Sequence, residues 1–433
     1  SRKASGCDRN GRESGFGRVA MDARTGERMT QPNSQSPQSS QNPHSSPIHM
    51  VQSDADFRRL LEVLEQADVC ALDLEFDKNY HRYGFHLCLL QIAIGNECFL
   101  VDPLQKEFDL SPLYRHLERP DLTKLVFSFG EDLRLLQSLG CRPSNLIDLN
   151  HYVRLLNYPQ RSLSNLLLEQ LGLDLDSGEQ LSNWYARPLT SSQILYAAND
   201  VLHLQTLHNQ LHPAAEEKGV DSWVQQENHM AEQADYSGLE QESLFKEKEQ
   251  NLFDEHTWHL YERLLRWRDK VARGLNLPAF KVMDKAVLDE LARKPGKASN
   301  WATRRGIHPR LRTRTTQTEV KRVLEDALQE ADAMGLSSDQ PARKKPDSEV
   351  LKQIRKEQSQ VSKVKRGLFG PVKQCLSRDY GEETSTFVFS NRIITEFVRE
   401  NPREMLPYKV ELIRKYASEL RIPVERYLKL PPM

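Results

Sequence analysis

Two carboxylates separated by a single leucine close an apolar run, Val69-Cys70-Ala71-Leu72-Asp73-Leu74-Glu75-Phe76. The run reads as a buried strand, whose side chains alternate between faces. Asp73 and Glu75 therefore project together, and Leu72, Leu74 and Phe76 face the other way. Carboxylates this close repel each other unless a cation lies between them, and hard oxygen ligands suit Mg²⁺ or Mn²⁺. Taken alone, the spacing also suits a solvated strand edge.

Two other places carry the same chemistry. Gly130-Glu131-Asp132 puts an acid in the first turn of a helix that follows a strand, where complementing the helix dipole would by itself explain it. Tyr196-Ala197-Ala198-Asn199-Asp200 sets a phenol and a carboxylate at i and i+4, on one helical face. Leu195, Val201 and Leu204 around them argue against a surface position, and a buried Tyr–Asp hydrogen bond is the plain alternative. Together the three places supply four carboxylates and one hydroxyl. Four carboxylates can hold two divalent ions roughly 3.5–4 Å apart, one acidifying a water and the other offsetting charge on a leaving oxygen. Tyr196 would orient that water. This is the chemistry of phosphodiester hydrolysis.

The surrounding sequence has to bring these places together. Ile48 to Gln52 reads as a strand, and Ser53 to Gln66 as an amphipathic helix capped by Ser53 or Asp54. Leu87 to Ile94 and Glu97 to Val101 form a hairpin around Gly95-Asn96. A further strand covers Leu125 to Phe129, and a helix runs from Gly130 through Leu139. The stretch from Asn150 to His208 is mostly helical, with Thr190 and Gln193 as a capping box before Tyr196. A hairpin followed by strand–helix alternation predicts an α/β domain, a mixed sheet flanked by helices.

Asp73-Leu-Glu75, Asp132 and Tyr196-xxx-Asp200 resemble the three exonuclease motifs of the DEDD 3′–5′ exonucleases, in the variant whose third motif carries tyrosine. Asn183-Trp184-Tyr185-Ala186-Arg187-Pro188-Leu189-Thr190, followed by Tyr196-Ala-Ala-Asn-Asp200, is similar to the ribonuclease D family in particular. The likeness covers about Ile48 to Leu211. It implies an RNase H-like exonuclease fold in which Asp73, Glu75, Asp132 and Asp200 bind two Mg²⁺ or Mn²⁺ ions and Tyr196 positions water. It also implies release of nucleoside 5′-monophosphates from RNA 3′ ends, with tRNA precursors or other small structured RNA as substrate. Phe76 would stack on the terminal base. Two positions depart from the family. Phe127-Ser128-Phe129 stands where a histidine is usual, and Ser182-Asn183-Trp184 where the family has aspartate before the tryptophan. Neither removes a metal ligand, so they bear on substrate preference and rate.

The second half changes character. A new apolar period begins at Asp254 and places Trp258, Tyr261, Leu264, Leu265, Trp267 and Arg268 on a long helix to about Leu275. Asp284 caps a short helix through Leu288 and Leu291, and another spans about Glu319 to Met334. Leu265-Arg266-Trp267-Arg268-Asp269 and Arg305-Gly306-Ile307 resemble an HRDC domain, a small helical nucleic-acid-binding module. Arg304, Arg305, Arg310, Arg312 and Arg314 form a basic run between its helices and are the expected RNA contacts. Val388 to Arg399 echoes the apolar positions of Val282 to Arg293, an echo that fits a divergent second HRDC-like unit.

The expected organisation is a disordered segment 1–46, an exonuclease domain 47–212, a helical linker 213–250 and an HRDC domain 251–335. A basic linker 336–368 and a helical C-terminal region 369–433 follow. Residues 1–46 are too poor in apolar side chains to offset their ordering entropy. The chain begins at Ser1, so Met21, Met29 and Met50 are candidate starts. Formal net charge is −1 over 433 residues, so a polyanion partner must be met by local charge. The six cysteines show no CxxC pair or zinc spacing and read as reduced thiols of a cytoplasmic protein. No apolar run reaches the roughly 18–20 residues of a membrane span, and no signal-peptide core precedes the first domain.

The sequence thus predicts a metal-dependent 3′–5′ exoribonuclease. Its rivals are a DNA exonuclease of the same superfamily and a nucleic-acid-binding protein whose exonuclease fold is inert.

Overall fold

The computed structural model describes residues 46–105, 108–159, 162–236, 244–343, 347–399 and 405–430. Apart from Ser46, the N-terminal segment expected to lack order lies outside the described residues.

Six strands make one mixed sheet: β1 (Ile48–Val51), β2 (Val69–Lys78), β3 (Phe85–Ile94), β4 (Glu97–Val101), β5 (Thr123–Val126) and β6 (Leu146–Asp148). Their order across the sheet is β1-β4-β3-β2-β5-β6. The hairpin β2–β3–β4 is antiparallel, and β1, β5 and β6 join its edges in parallel. The Gly95-Asn96 turn closes β3 onto β4, with Gly95 at φ +58° as such a tight turn requires.

Strand alternation sorts β2 between two cores. Cys70, Leu72 and Leu74 pack on one face with Phe57, Leu60 and Leu64 of the helix Asp54–Glu65 and with Leu133, Leu135 and Leu136 of the helix Gly130–Ser138. Ala71, Leu89 and Ala93 pack on the other face with Ala197, Ala198 and Val201 of the helix Ser191–Leu202. Asp73 and Glu75 share the face of Ala71, so the sheet aims both acids at that helix. Ser53 caps the first helix in a reciprocal capping box with Asp56, and Thr190 caps the helix of Tyr196 in another with Gln193.

Three expectations are corrected. The strand expected to end at Phe129 ends at Val126, because the chain turns at Ser128, which adopts φ +57°. Residues 213–232, expected as linker, continue the domain: Ala215, Val220, Trp223 and Val224 of the helices Leu204–Lys218 and Asp221–Glu232 are buried in its core. The basic segment 336–368 is largely the helix Ser348–Val364, anchored by buried Val361 and Val364.

Among the described residues, the C-terminal helices share the core of the first domain. Phe369, Phe389, Tyr408 and Tyr416 are buried together with Tyr152 and Trp223 of the first domain. Thr384 donates to the carbonyls of Arg154 and Leu155, and Lys409 pairs with Glu227 at 2.8 Å, both nearly fully buried. The segments 282–293 and 388–399, whose apolar positions echo each other, each end in a nine-residue helix, Lys285–Arg293 and Asn391–Arg399. The two helices belong to different cores.

The helices Glu255–Leu275, Lys285–Arg293 and Arg314–Ala333 form a third core around Trp258, Tyr261, Leu264, Leu265 and Trp267. Buried Arg268 donates to the Met283 carbonyl at 2.9 Å. Gly306 at φ +84° would set a Cβ 2.9 Å from Asp284, so a side chain there collides with the cap of Lys285–Arg293. Cys70, Cys88, Cys98, Cys141 and Cys375 are buried free thiols. No helix among the described residues is long and apolar enough to cross a membrane.

Candidate active site

Asp73, Glu75, Asp132, Tyr196 and Asp200 all line one cleft of about 530 Å³, with Phe76, Tyr80, His81, Leu181 and Trp184 among its other walls. Asp73 and Glu75 come from β2, Asp132 from the first turn of the helix Gly130–Ser138, and Tyr196 and Asp200 from the helix Ser191–Leu202. One carboxylate oxygen each of Asp73, Glu75 and Asp200 lies within 4.8 Å of the other two.

The electrostatics follow from this crowding. Burial raises Asp73 well above the usual carboxylate range, and the nearby charges of Asp132, Asp200 and Glu75 raise it further. Glu75 is raised for the same reasons. Burial pushes Asp132 up to about 7, with Asp148 and Glu131 adding to the rise. Asp200 is also pushed up to about 7 by burial, against the pull of a hydrogen bond from Tyr196. Burial and the charge of Asp200 hold the Tyr196 hydroxyl firmly protonated. No cationic side chain lies among the causes of these shifts. Converging carboxylates withdrawn from water, with the Lys78 ammonium of the same cleft engaged by Glu131, are the donor set that hard divalent ions take.

Supporting residues went unread in the sequence. Asp148 accepts from the N–H groups of Ser128 at 2.7 Å and Phe129 at 3.1 Å, and so fixes the turn before Asp132. Arg187 clamps Asp102 through Nε at 2.6 Å and Nη2 at 2.7 Å, and also donates to the Cys88 carbonyl. That clamp ties the segment leading into Thr190 to the sheet. Asp77 accepts from the N–H groups of Tyr80, His81 and Arg82 and shapes the loop after β2. Gln91 lies directly across the sheet from Asp73, fully buried. Asp148, Arg187 and Asp77 each link residues far apart in the chain or reshape a turn, so no local spacing marks them.

The five arginines lie elsewhere, and none lines the cleft. All are exposed. Arg304 pairs with Glu290, and Arg312 donates to the carbonyls of Arg304 and Ile307.

Two family models match the chain: a 3′–5′ exonuclease over residues 48–216 and an HRDC domain over residues 259–315. The chain is 30% identical over 266 residues to a ribonuclease D of Zymomonas mobilis subsp. mobilis, which covers 60% of this chain and 68% of that relative. It is 31% identical over 251 residues to a ribonuclease D of Desulfotalea psychrophila, covering 56% of this chain and 66% of that relative. Among solved structures, Escherichia coli RNase D, an exoribonuclease involved in structured RNA processing, superposes with a TM-score of 0.59 at 22% identity. That superposition covers 88% of this chain and all of the other, and shows a shared fold. With both domain matches in order and this degree of identity, the chain belongs to the ribonuclease D family of 3′–5′ exoribonucleases.

Proposed function

We propose that the chain removes nucleotides one at a time from RNA 3′ ends and releases nucleoside 5′-monophosphates. The observation that carries this reading is the convergence of the Asp73, Glu75 and Asp200 carboxylates in a cleft that Asp132 and Tyr196 complete. Asp73, Glu75, Asp132 and Asp200 would hold two divalent cations, Mg²⁺ or Mn²⁺. When bound, those ions would neutralise the carboxylates, acidify an attacking water and offset charge on the leaving oxygen.

The remaining roles fall to the chain itself. Tyr196 stays a phenol because burial raises it, so it orients water by hydrogen bonding and does not act as a phenolate base. Asp132 and Asp200 come from different helices, which fixes the spacing of the acids before any ligand arrives. Phe76 stands in the cleft wall, edge-on to Phe85, and would take the face of the terminal base. The exposed Arg304, Arg305, Arg310, Arg312 and Arg314 would hold phosphates upstream of the cleft. The natural substrate would be the 3′ trailer of a tRNA precursor or another small structured RNA. The free buried thiols fit work in the cytoplasm.

The test is incubation of the purified protein with a 5′-labelled, 3′-extended RNA and the matching DNA, with Mg²⁺, Mn²⁺ or EDTA. A ladder that shortens from the 3′ end on RNA and vanishes with EDTA is the expected result. Equal or faster shortening of DNA would move the assignment to a DNA exonuclease. Tight binding without cutting under any metal would make the fold an inert binding module.

A further inference from the structure

Exposed aromatic rings are costly to leave unpartnered in water, and two of them stand side by side where the exonuclease and HRDC domains meet. Tyr80, in the loop between β2 and β3, is 63% exposed, and Phe280, just before the helix Lys285–Arg293, is 57% exposed. Their ring centroids are 6.4 Å apart. The Lys281 ammonium lies 5.4 Å from the Tyr80 ring and 5.8 Å from the Phe280 ring. Tyr80 is also a wall of the cleft that holds Asp73, Glu75, Asp132 and Asp200.

Both rings are held in place from behind. Asp77, itself buried, takes the N–H groups of Tyr80, His81 and Arg82 and locks the loop. Three residues beyond Tyr80, Tyr83 packs against the HRDC core and donates its hydroxyl to Asp269 at 2.8 Å. Arg273 donates back to that hydroxyl and stands over its ring. One short loop therefore shapes the cleft wall and clamps the HRDC domain beside it. The two rings meet because of that clamp.

We propose that Tyr80 and Phe280 form a stacking platform, shared between the two domains, for single-stranded RNA entering the cleft. Aromatic faces with a cation between them suit bases and their phosphates without regard to sequence. RNA is favoured as occupant because the platform is continuous with the catalytic cleft through Tyr80. The inference rests on the exoribonuclease reading above and deepens it.

The test uses the full chain and an oligoribonucleotide with 2-aminopurine a few nucleotides from its 3′ end. In an Asp73→Asn background, which binds without cutting, stacking should quench the probe. Phe280→Ala should abolish that quench and Phe280→Trp should restore it. In the otherwise wild-type chain, Phe280→Ala should shrink the kcat/KM advantage of a long single strand over a dinucleotide roughly tenfold, the weight of one base stacked on an aromatic ring. Tyr80→Ala should shrink it in the same direction. Quench and length advantage unchanged in both alanine variants would overturn the platform while leaving the exoribonuclease standing. A wild-type chain that does not shorten RNA would remove the reading beneath it, and the platform with it.

Discussion

Asp148 accepts the backbone N–H of Ser128 at 2.7 Å, joining two points 20 residues apart. Its other oxygen takes the Phe129 N–H, and the side chain also caps the helix Leu149–Leu155 through Asn150. The turn it holds leads directly into Asp132. Asp148→Ala should cost about 1 kcal/mol of stability through the lost cap, yet lower kcat by roughly tenfold or more by loosening Asp132. Urea unfolding and steady-state kinetics on the same preparation separate the two effects. Ser128→Gly relieves the left-handed strain at φ +57° and should stabilise the chain slightly with activity kept.

Tyr196→Phe should reduce kcat roughly 10²-fold. KM and the number of bound divalent ions should stay unchanged, since the phenol is not a ligand in this account. Single-turnover kinetics beside a metal count would check both.

Arg187 and Asp102 form a pair whose Asp102 side chain is fully buried. Removing one partner leaves the other uncompensated, so Arg187→Ala should destabilise the chain by about 3–5 kcal/mol. Arg187→Lys should recover little of that, because lysine cannot make the two-pronged contact and also reach the Cys88 carbonyl. Thermal melting of both variants tests the comparison.

Metal removal should leave a pH signature. Without cations, Asp132 and Asp200 hold their protons up to about 7, against an ordinary value of 3.8. The unfolded chain releases those protons near 3.8, so between there and 7 the folded state binds more of them. Stability of the metal-free protein should therefore fall as pH rises through that window. Mg²⁺ near pH 7 should restore it by binding only the folded state. Melting temperatures across the window, with and without EDTA, are the measurement, and Asp132→Asn should flatten the metal-free slope.

The grouping of the acids and Tyr196 in one cleft was readable because it obeys short periods. Asp73 and Glu75 share a face by strand alternation, and Tyr196 and Asp200 share one by the helical repeat. The capping box at Thr190 was readable for the same reason, and so was a cap at Ser53 or Asp54, though not the reciprocal bond from Asp56. What could not be read depends on distance in the chain. Arg187 finds Asp102 across 85 residues, and Thr384 finds Arg154 across 230. The burial of Trp223 against Tyr380 and Tyr408 likewise has no local signal. That contact is why residues 213–232 and the C-terminal helices, which looked like linker and separate module, belong to the first core. Ser128 gave no sign of its left-handed turn, since serine is not a residue that advertises one.

The exposed arginines of the HRDC domain should act on RNA as charges. Replacing Arg305, Arg310 and Arg314 together by glutamine should lower the slope of log affinity against log salt by about 2 for single strands. Binding should weaken evenly across RNA sequences, as measured by fluorescence anisotropy over a salt series.

The central claim is that Asp73, Glu75, Asp132 and Asp200 together hold two divalent cations. Counting bound Mn²⁺ by electron paramagnetic resonance in the 433-residue chain tests it most directly, with Asp73→Asn and Asp132→Asn measured alongside. The account predicts two Mn²⁺ ions per chain when RNA is present, and fewer in each variant. A wild-type chain that binds no Mn²⁺, or variants that bind as much as wild type, would contradict it.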